Sequence, residues 1–184
     1  MTVRFDAGLV ERVCRAATRS GGGVVEVVTD RLDGSVWVRL SSWRQRGEAR
    51  RALTAFGLSS RDGSGDVTLQ VTGWDGRLLR RRLGSLLALV DDLGGEWETT
   101  VELAEYCYDR RAVHGLEPDP ADVLADVEAI LRRAVPLPHP VPAVTDVDVL
   151  LELIDAAEDT YERRLAEHLD HAERAITRPR SAID

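Results

Sequence analysis

The sequence predicts an α+β fold: a small, mostly antiparallel sheet of three to four strands packed by helices, followed by an all-helical C-terminal region with one long amphipathic helix. Two segments rich in β-branched residues, VVEVVTD and SVWVRLS, flank Asp33-Gly34, which is a strong hairpin signal. Further along, Val67, Leu69 and Val71 alternate with polar residues, as in a half-buried strand. After residue 118 the apolar residues instead recur at helical spacing.

The composition is that of a globular protein. Of 184 residues, 43% are apolar and 30% are charged, which is enough apolar surface to form a core. We expect an α+β domain over residues 1–115 and an acidic helical region over 116–177. A proline-rich connector at 136–145 should lie within that region, and residues 178–184 should form a disordered tail.

The first half of the chain gives clear start and stop signals. Asp6 and Asp75 each precede an apolar stripe at helical spacing and predict helix N-caps, while Gly57 predicts a helix end. In chain order we predict a helix at 6–19, strands at 24–30 and 35–41, a helix at 44–56, a loop at 60–66, a strand at 66–74 and a helix at 75–93.

The second half is predicted to be helical, with one ambiguous segment. Residues 97–111 alternate like a strand at first, but Thr99 with Glu102 also matches a capping box, and we favour a helix from about Thr100. Asp119-Pro120 begins a helix that should end near Val135. Thr145 and Asp148 match a second capping box, which starts the long final helix.

Several classes of protein are disfavoured. The chain has neither a signal-like apolar run near its start nor a stretch long enough to span a bilayer, so we expect a cytoplasmic protein without a membrane partner. Cys14 and Cys107 are expected to be small buried residues rather than a disulfide. The glycines at 21–23 follow a helix and precede a strand, the reverse of a phosphate-binding loop, so we predict a turn and no cofactor.

Charge is unevenly distributed along the chain. All 24 basic residues are arginines, and the net charge is −8. Residues 1–95 hold 15 arginines and 11 acidic residues, whereas residues 96–184 hold 9 arginines and 21 acidic residues. The sequence therefore predicts a basic front half and an acidic back half.

The basic half suggests a surface that binds anions or nucleic acid. Val36, Val38 and Leu40 should face the core, which places Trp37 and Arg39 on the other side of the strand. An exposed Trp could stack a base while guanidinium groups hold phosphates. The candidate residues are Trp37, Arg39, Arg46, Arg50, Arg77, Arg80, Arg81 and Arg82. The alternative is that another element covers this face, or that the acidic C-terminal half neutralises it, within the molecule or in a neighbouring copy.

The final helix suggests a protein interface. Its apolar stripe continues for about 45 Å at about 1.5 Å per residue, longer than we expect the domain to cover. Either the helix folds back on the first domain through the proline connector or it pairs with another chain, and we predict pairing for its distal half. The candidate interface residues are Tyr161, Leu165, Leu169, Ala172 and Ile176.

Two clusters could carry chemistry. Residues 105–114 hold Glu105, Cys107, Tyr108, Asp109 and His114, and these groups could supply an acid, a base and a nucleophile. A helix there would leave most of them exposed with ordinary pKa values, which disfavours catalysis.

The second cluster is a pair of histidines at 168 and 171. Their spacing does not match that of a helical metal site, so we expect a solvated charged face and no metal.

The sequence thus favours a non-enzymatic interaction or regulatory protein that oligomerises or docks a protein partner through the C-terminal helix. Nucleic-acid binding through residues 39–82 with Trp37 is the first alternative. An enzyme using residues 105–114 is the second.

Overall fold

The α+β class is confirmed by a computed structural model of the chain, which describes residues 4–18, 23–63, 67–133 and 136–178. One small antiparallel sheet of four strands is combined with helices, the last of them long. The predicted tail beyond residue 178 and the glycines at 21–22 lie outside the described residues.

In the described ranges the strands occur in the first half of the chain, as two pairs that follow α1 and α2, and the second half is helical. The helices are α1 (Ala7–Ala17), α2 (Trp43–Phe56), α3 (Gly76–Asp92), α4 (Trp97–Val113), α5 (Pro120–Arg133) and α6 (Val147–Thr177). The strands are β1 (Val24–Thr29), β2 (Val36–Leu40), β3 (Leu58–Asp62) and β4 (Thr68–Trp74). All pairings are antiparallel, in the order β1-β2-β4-β3.

The chain forms two compact units. Unit 1 comprises residues 1–84 and 140–155, and unit 2 comprises residues 85–139 and 156–184. Both α3 and α6 begin in unit 1 and end in unit 2. These units divide the chain at other points than residue 115, where the sequence suggested a boundary.

Unit 1 is a sheet with two helices on one face. The alternate residues of β2 and β4, including Val38 and Leu69, point into a core that also contains Val10 of α1 and Leu53 of α2. Because side chains alternate along a strand, Trp37 and Arg39 lie on the opposite side, which we call the outer face. The β2–β4 register places Trp37 opposite Gln70 and Arg39 opposite Thr68.

The loop predicted at 60–66 is partly wrong, because residues 58–62 form β3. Its sequence, LSSRD, has little β propensity, and the strand is held by pairing with β4 at the sheet edge. Gly57 ends α2 as predicted, with a φ of 105°. A Cβ at residue 57 would lie 2.5 Å from Leu79 Cδ2, so glycine is also required there for packing.

The helix caps agree with the sequence where the capping residue is an aspartate. Asp6 accepts a hydrogen bond from Leu9 N at 2.7 Å, and Asp75 accepts one from Arg77 N at 2.8 Å. Helix α4 begins at Trp97 rather than Thr100, without a side-chain cap. The cap of α6 is Asp146 rather than Thr145, and its carboxylate accepts from Asp148 N at 2.9 Å.

Unit 2 is helical and buries the distal stripe of α6. One cluster joins Ala104, Val123 and Val127 to Ala172, with Leu169 and Ile176 packed against it. A second cluster joins Val90 and Leu93 to Tyr161 and Leu165. All five candidate interface residues therefore contact helices of their own chain. Tyr161, Leu165 and Ala172 are buried and Leu169 and Ile176 are partly buried, so most of the stripe is covered without another chain, and pairing through it stays a prediction.

No helix in the described part of the chain is both long and apolar enough to span a membrane.

Candidate functional site

The predicted basic surface does not form one continuous group of free charges. In unit 1, Arg39 pairs with Glu26 of β1 at 3.1 Å. Arg46 pairs with Asp62 of β3 at 2.7 Å, and Arg50 pairs with the same carboxylate. These partners come from β1 and β3, so three of the eight candidate residues are ion-paired within the unit, and the two carboxylates offset two of their three charges.

The arginines of α3 are also partly engaged. Arg80 donates to the carbonyl of Val141 at 3.4 Å, and Arg82 donates to the carbonyl of Phe56 at 2.9 Å. Arg82 also lies over the Phe56 ring, 4.0 Å from its centroid. Arg77 and Arg81 are exposed and have no ion pair with any residue that the structure describes. Nucleic-acid binding stays a prediction, with fewer free cations than the sequence indicated.

Trp37 lies on the outer face but is half-buried rather than freely exposed. A Cβ at residue 63 would lie 2.8 Å from Trp37 Cζ3, which shows that the backbone of Gly63 packs against the indole. Beside it, Gln70 donates to Ser35 Oγ at 2.9 Å and accepts from Arg61 Nε at 2.6 Å. The outer face near Trp37 is therefore a hydrogen-bonded polar layer.

A second tryptophan was missed by the sequence reasoning. Trp43, in the first turn of α2, is 63% exposed, and the guanidinium of Arg46 lies 4.1 Å from its ring centroid. Arg46 is thus held between an aromatic face and Asp62. The i,i+3 spacing of Trp43 and Arg46 could have revealed this contact once the helix was placed.

Strand β1 forms one edge of the sheet in the described chain. Asp30 N donates to Ser35 O at 2.7 Å, so Asp30 and Ser35 form a hydrogen-bonded pair. Such pairs alternate along an antiparallel ladder, which directs the backbone N–H and C=O groups of Val27 and Thr29 away from β2. Val25 and Val28 are 51% and 49% exposed on this strand.

Unit 2 contains a cleft of about 440 Å³ between α4 and α6. The two helices run in the same direction, because Thr100 contacts His168 near one end and Ala104 packs with Ala172 further along. Helix α4 contributes Glu105 and Tyr108 to the lining. Helix α6 contributes His171, Arg174 and Ile176, and Arg178 follows its last turn.

A ring stack and a buried histidine lie beside this cleft. The ring centroids of Trp97 and His171 are 4.0 Å apart, and those of Trp97 and His168 are 4.7 Å apart. His168 Nε2 lies 3.2 Å from the carbonyl of Leu93, which can only accept, so Nε2 carries the proton. Nδ1 then accepts from the Thr100 hydroxyl. Desolvation by burial lowers the pKa of His168.

The expectation that both histidines lie on a solvated face is wrong for His168, which is buried. Tyr161, Leu165, His168 and Ala172 follow a four-three-four spacing that places all of them on the buried side of α6. That spacing is visible in the sequence and could have identified His168 as a buried residue.

The cluster at residues 105–114 is divided by the turns of α4. Glu105 and Tyr108 line the cleft described above, whereas Arg110, Arg111 and His114 line another cleft of about 310 Å³. Cys107 is buried in the core, and desolvation raises the pKa of its thiol, which leaves it protonated.

Arg111 of the second cleft forms two ion pairs. Arg111 pairs with Asp126 at 2.7 Å and with Asp122 at 2.9 Å. These contacts hold the pKa of Asp126 below its usual value. No group of three potential metal ligands occurs among the residues that the structure describes.

Comparison of the chain with protein-family models, with curated proteins and with solved structures gives no match. The geometry of the two units is therefore the basis on which a function can be proposed.

Proposed function

We propose that this protein is an interaction protein, and that it recognises a second copy of itself by strand pairing along β1. The observation that carries the proposal is the outer edge of β1, which pairs with no other strand among the residues that the structure describes, together with its two half-exposed valines. An unpaired edge strand is a template for another strand, because its outward N–H and C=O groups need partners.

The sequence of β1 favours pairing with a strand of another copy, because it lacks the residues that shield an edge strand from such pairing. Natural edge strands are commonly shielded by proline, lysine or several charged residues. Residues 24–29 contain no proline, and Glu26 is their single charged residue. The bulge between Val24 and Glu26 lies at one end of the strand and leaves residues 26–29 in regular register with β2.

One two-fold register suits this strand best. Residues that lie opposite each other in a continuous sheet have their side chains on the same face. When two identical strands pair antiparallel, the two-fold axis must therefore pass at the level of a residue, which then lies opposite its own copy. With the axis at Glu26, the Glu26 carboxylates of the two copies lie opposite each other. With the axis at Val28, Glu26 of one copy lies opposite Asp30 of the other. With the axis at Val27, Glu26 lies opposite Val28 of the other copy, and the pairing uses the outward backbone groups of Val27.

A charge at position 28 tests both the association and the register. In the Val27-centred pair, Val28→Glu places a glutamate at position 28 of each copy opposite Glu26 of the other. Each of these two like-charge pairs should weaken the dimer by about 0.2–1 kcal/mol. We expect the dimer Kd from sedimentation equilibrium to rise about 2- to 30-fold. Val28→Lys introduces an opposite charge at the same position and should leave the Kd unchanged or lower it.

Val149→Glu is the matched control, since Val149 is 42% exposed in unit 1 but lies on α6. This variant should associate like the parent chain. Thr29→Pro removes an outward N–H without removing a β1–β2 hydrogen bond, and it should also weaken association. A chain that stays monomeric at all concentrations, or equal effects of Glu and Lys at position 28, would overturn the proposal.

A further inference from the structure

The cleft between α4 and α6 has a charge unlike that of its surroundings. Residues 96–184 carry more than twice as many acidic residues as arginines. The cleft nevertheless has Arg174, Arg178 and His171 in its lining, against the single carboxylate of Glu105. At residue spacings of three and four, these three basic groups lie on one side of α6 and its last turn.

Neither arginine of the cleft is neutralised by a described neighbour. The side chains of Arg174 and Arg178 have no hydrogen bond or ion pair with the residues that the structure describes, although Asp170 lies one turn before Arg174. Two other arginines of unit 2 are paired: Arg132 contacts Glu128 at 2.9 Å, and Arg111 contacts two aspartates. The two guanidinium groups are thus available to a ligand.

The other groups of the cleft define what kind of ligand fits. An arginine fork matches a carboxylate or a phosphate group, and His171 can donate a further hydrogen bond. The contact of His171 with Trp97 restricts its ring before any ligand arrives. Ile176 supplies apolar surface, and the volume of about 440 Å³ is within the range of small-molecule sites, about 300–1,000 Å³.

We infer that this cleft binds a small organic oxyanion, with its anionic group on Arg174 and Arg178 and its apolar body against Ile176. Glu105 faces the same space, so it disfavours a second anionic group and accepts a hydrogen bond from a hydroxyl or amine of the ligand. This site is independent of the association proposed for β1, because all its lining residues belong to unit 2.

Isothermal titration calorimetry of the full chain tests the inference with three probes. Phenyl phosphate carries an oxyanion and an apolar ring, inorganic phosphate carries the oxyanion alone, and benzyl alcohol carries the ring alone. We expect phenyl phosphate to bind more tightly than inorganic phosphate, and benzyl alcohol not to bind. No heat of binding for phenyl phosphate at millimolar concentration would overturn the inference. Equal binding of benzyl alcohol would also overturn it.

A pair of double variants separates the site from general charge attraction. Arg174→Gln/Arg178→Gln should weaken phenyl phosphate binding at least 10-fold. Arg77→Gln/Arg81→Gln makes the same change in net charge in unit 1 and should leave the Kd within twofold of the parent value. Equal losses in both would contradict the inference. Arg174→Lys keeps the charge without the fork and should give an intermediate Kd; the same Kd as the parent would contradict bidentate recognition.

Discussion

The two units use their arginines in different ways. Unit 1 holds most of the arginines of the chain, yet Arg39, Arg46 and Arg50 are paired with acidic residues of neighbouring strands. Unit 2 lies mostly in the acidic half, yet Arg174 and Arg178 line a cleft without a described partner. Arg77 and Arg81 of unit 1 also lack a described ion pair, so unpaired arginines occur in both units, including the one whose net charge is negative.

This contrast shows that the charge of a segment does not locate the charge available to a ligand. Asp62 pairs with two arginines and offsets one of their two charges because β3 places its carboxylate beside α2, and that contact depends on sheet topology. Exposed pairs of this kind contribute little to stability, about 0.2–1 kcal/mol each, but they reduce the field that a polyanion experiences. The pairing pattern, rather than the count of arginines, is therefore the better guide to a binding surface.

The largest expected effect tests whether unit 2 buries the stripe of α6. Leu165 is 2% exposed, so Leu165→Ala should lower the free energy of unfolding by about 2–5 kcal/mol, measured by urea denaturation. Leu137 is 90% exposed in the same unit, and Leu137→Ala should change stability by less than about 0.5 kcal/mol. If both variants changed the free energy of unfolding by the same small amount, the stripe of α6 would not be buried within unit 2 and would be available as an interface.

A smaller effect is expected at the buried histidine. Thr100→Val removes the hydroxyl that His168 Nδ1 needs and should cost about 1–3 kcal/mol of stability. Thr99→Val changes an exposed neighbour in the same way and should cost less than about 0.5 kcal/mol. Equal costs would show that the hydroxyl of Thr100 has no special partner.

His168 should also make stability depend on pH. Burial lowers its folded-state pKa below the ordinary value of 6.5, so below pH 6.5 the unfolded chain binds more protons than the folded one. Its contribution is present above pH 6.5 and is lost as the pH falls through the folded-state pKa. Urea denaturation from pH 7.5 to 5 should show a shallower decrease for His168→Gln than for the parent. A parallel decrease would contradict the assignment.

The smallest effect concerns the masking of charge in unit 1. Asp62→Asn removes the partner of Arg46 and Arg50, and it should cost about 0.2–1 kcal/mol of stability for each exposed pair. The same change should increase binding of a single-stranded DNA oligonucleotide at low salt, measured by fluorescence anisotropy. Glu11→Gln, which frees the exposed Arg15 on α1, is the control. An equal increase in both variants would show that Asp62 has no particular masking role.

Much of the fold could be predicted because local chemistry determines it. Asp6, Asp75 and Gly57 delimit helices through contacts within one turn, and the alternation of Val67, Leu69 and Val71 reports a strand directly. Strand β3 could not be predicted in this way, because its polar residues become a strand only through pairing with β4. The start of α4 was missed because no side chain caps it.

The cleft could not be predicted because its lining comes from two helices distant in sequence. Glu105 and Tyr108 were noted as candidates, but their proximity to Arg174 depends on the packing of α4 with α6. Trp37 was placed on the correct face, while its cover by Gly63 depends on the end of β3. Pairing across elements thus decided which of the candidate residues are free.

The difference in arginine pairing is tested most directly by a nuclear magnetic resonance titration of the full chain with phenyl phosphate, following the arginine Nε–Hε signals. We predict that the signals of Arg174 and Arg178 shift and saturate, whereas those of Arg39, Arg46 and Arg50 stay in place. Larger shifts for the three arginines of unit 1 than for those two of unit 2 would contradict the assignment of free charge to the cleft.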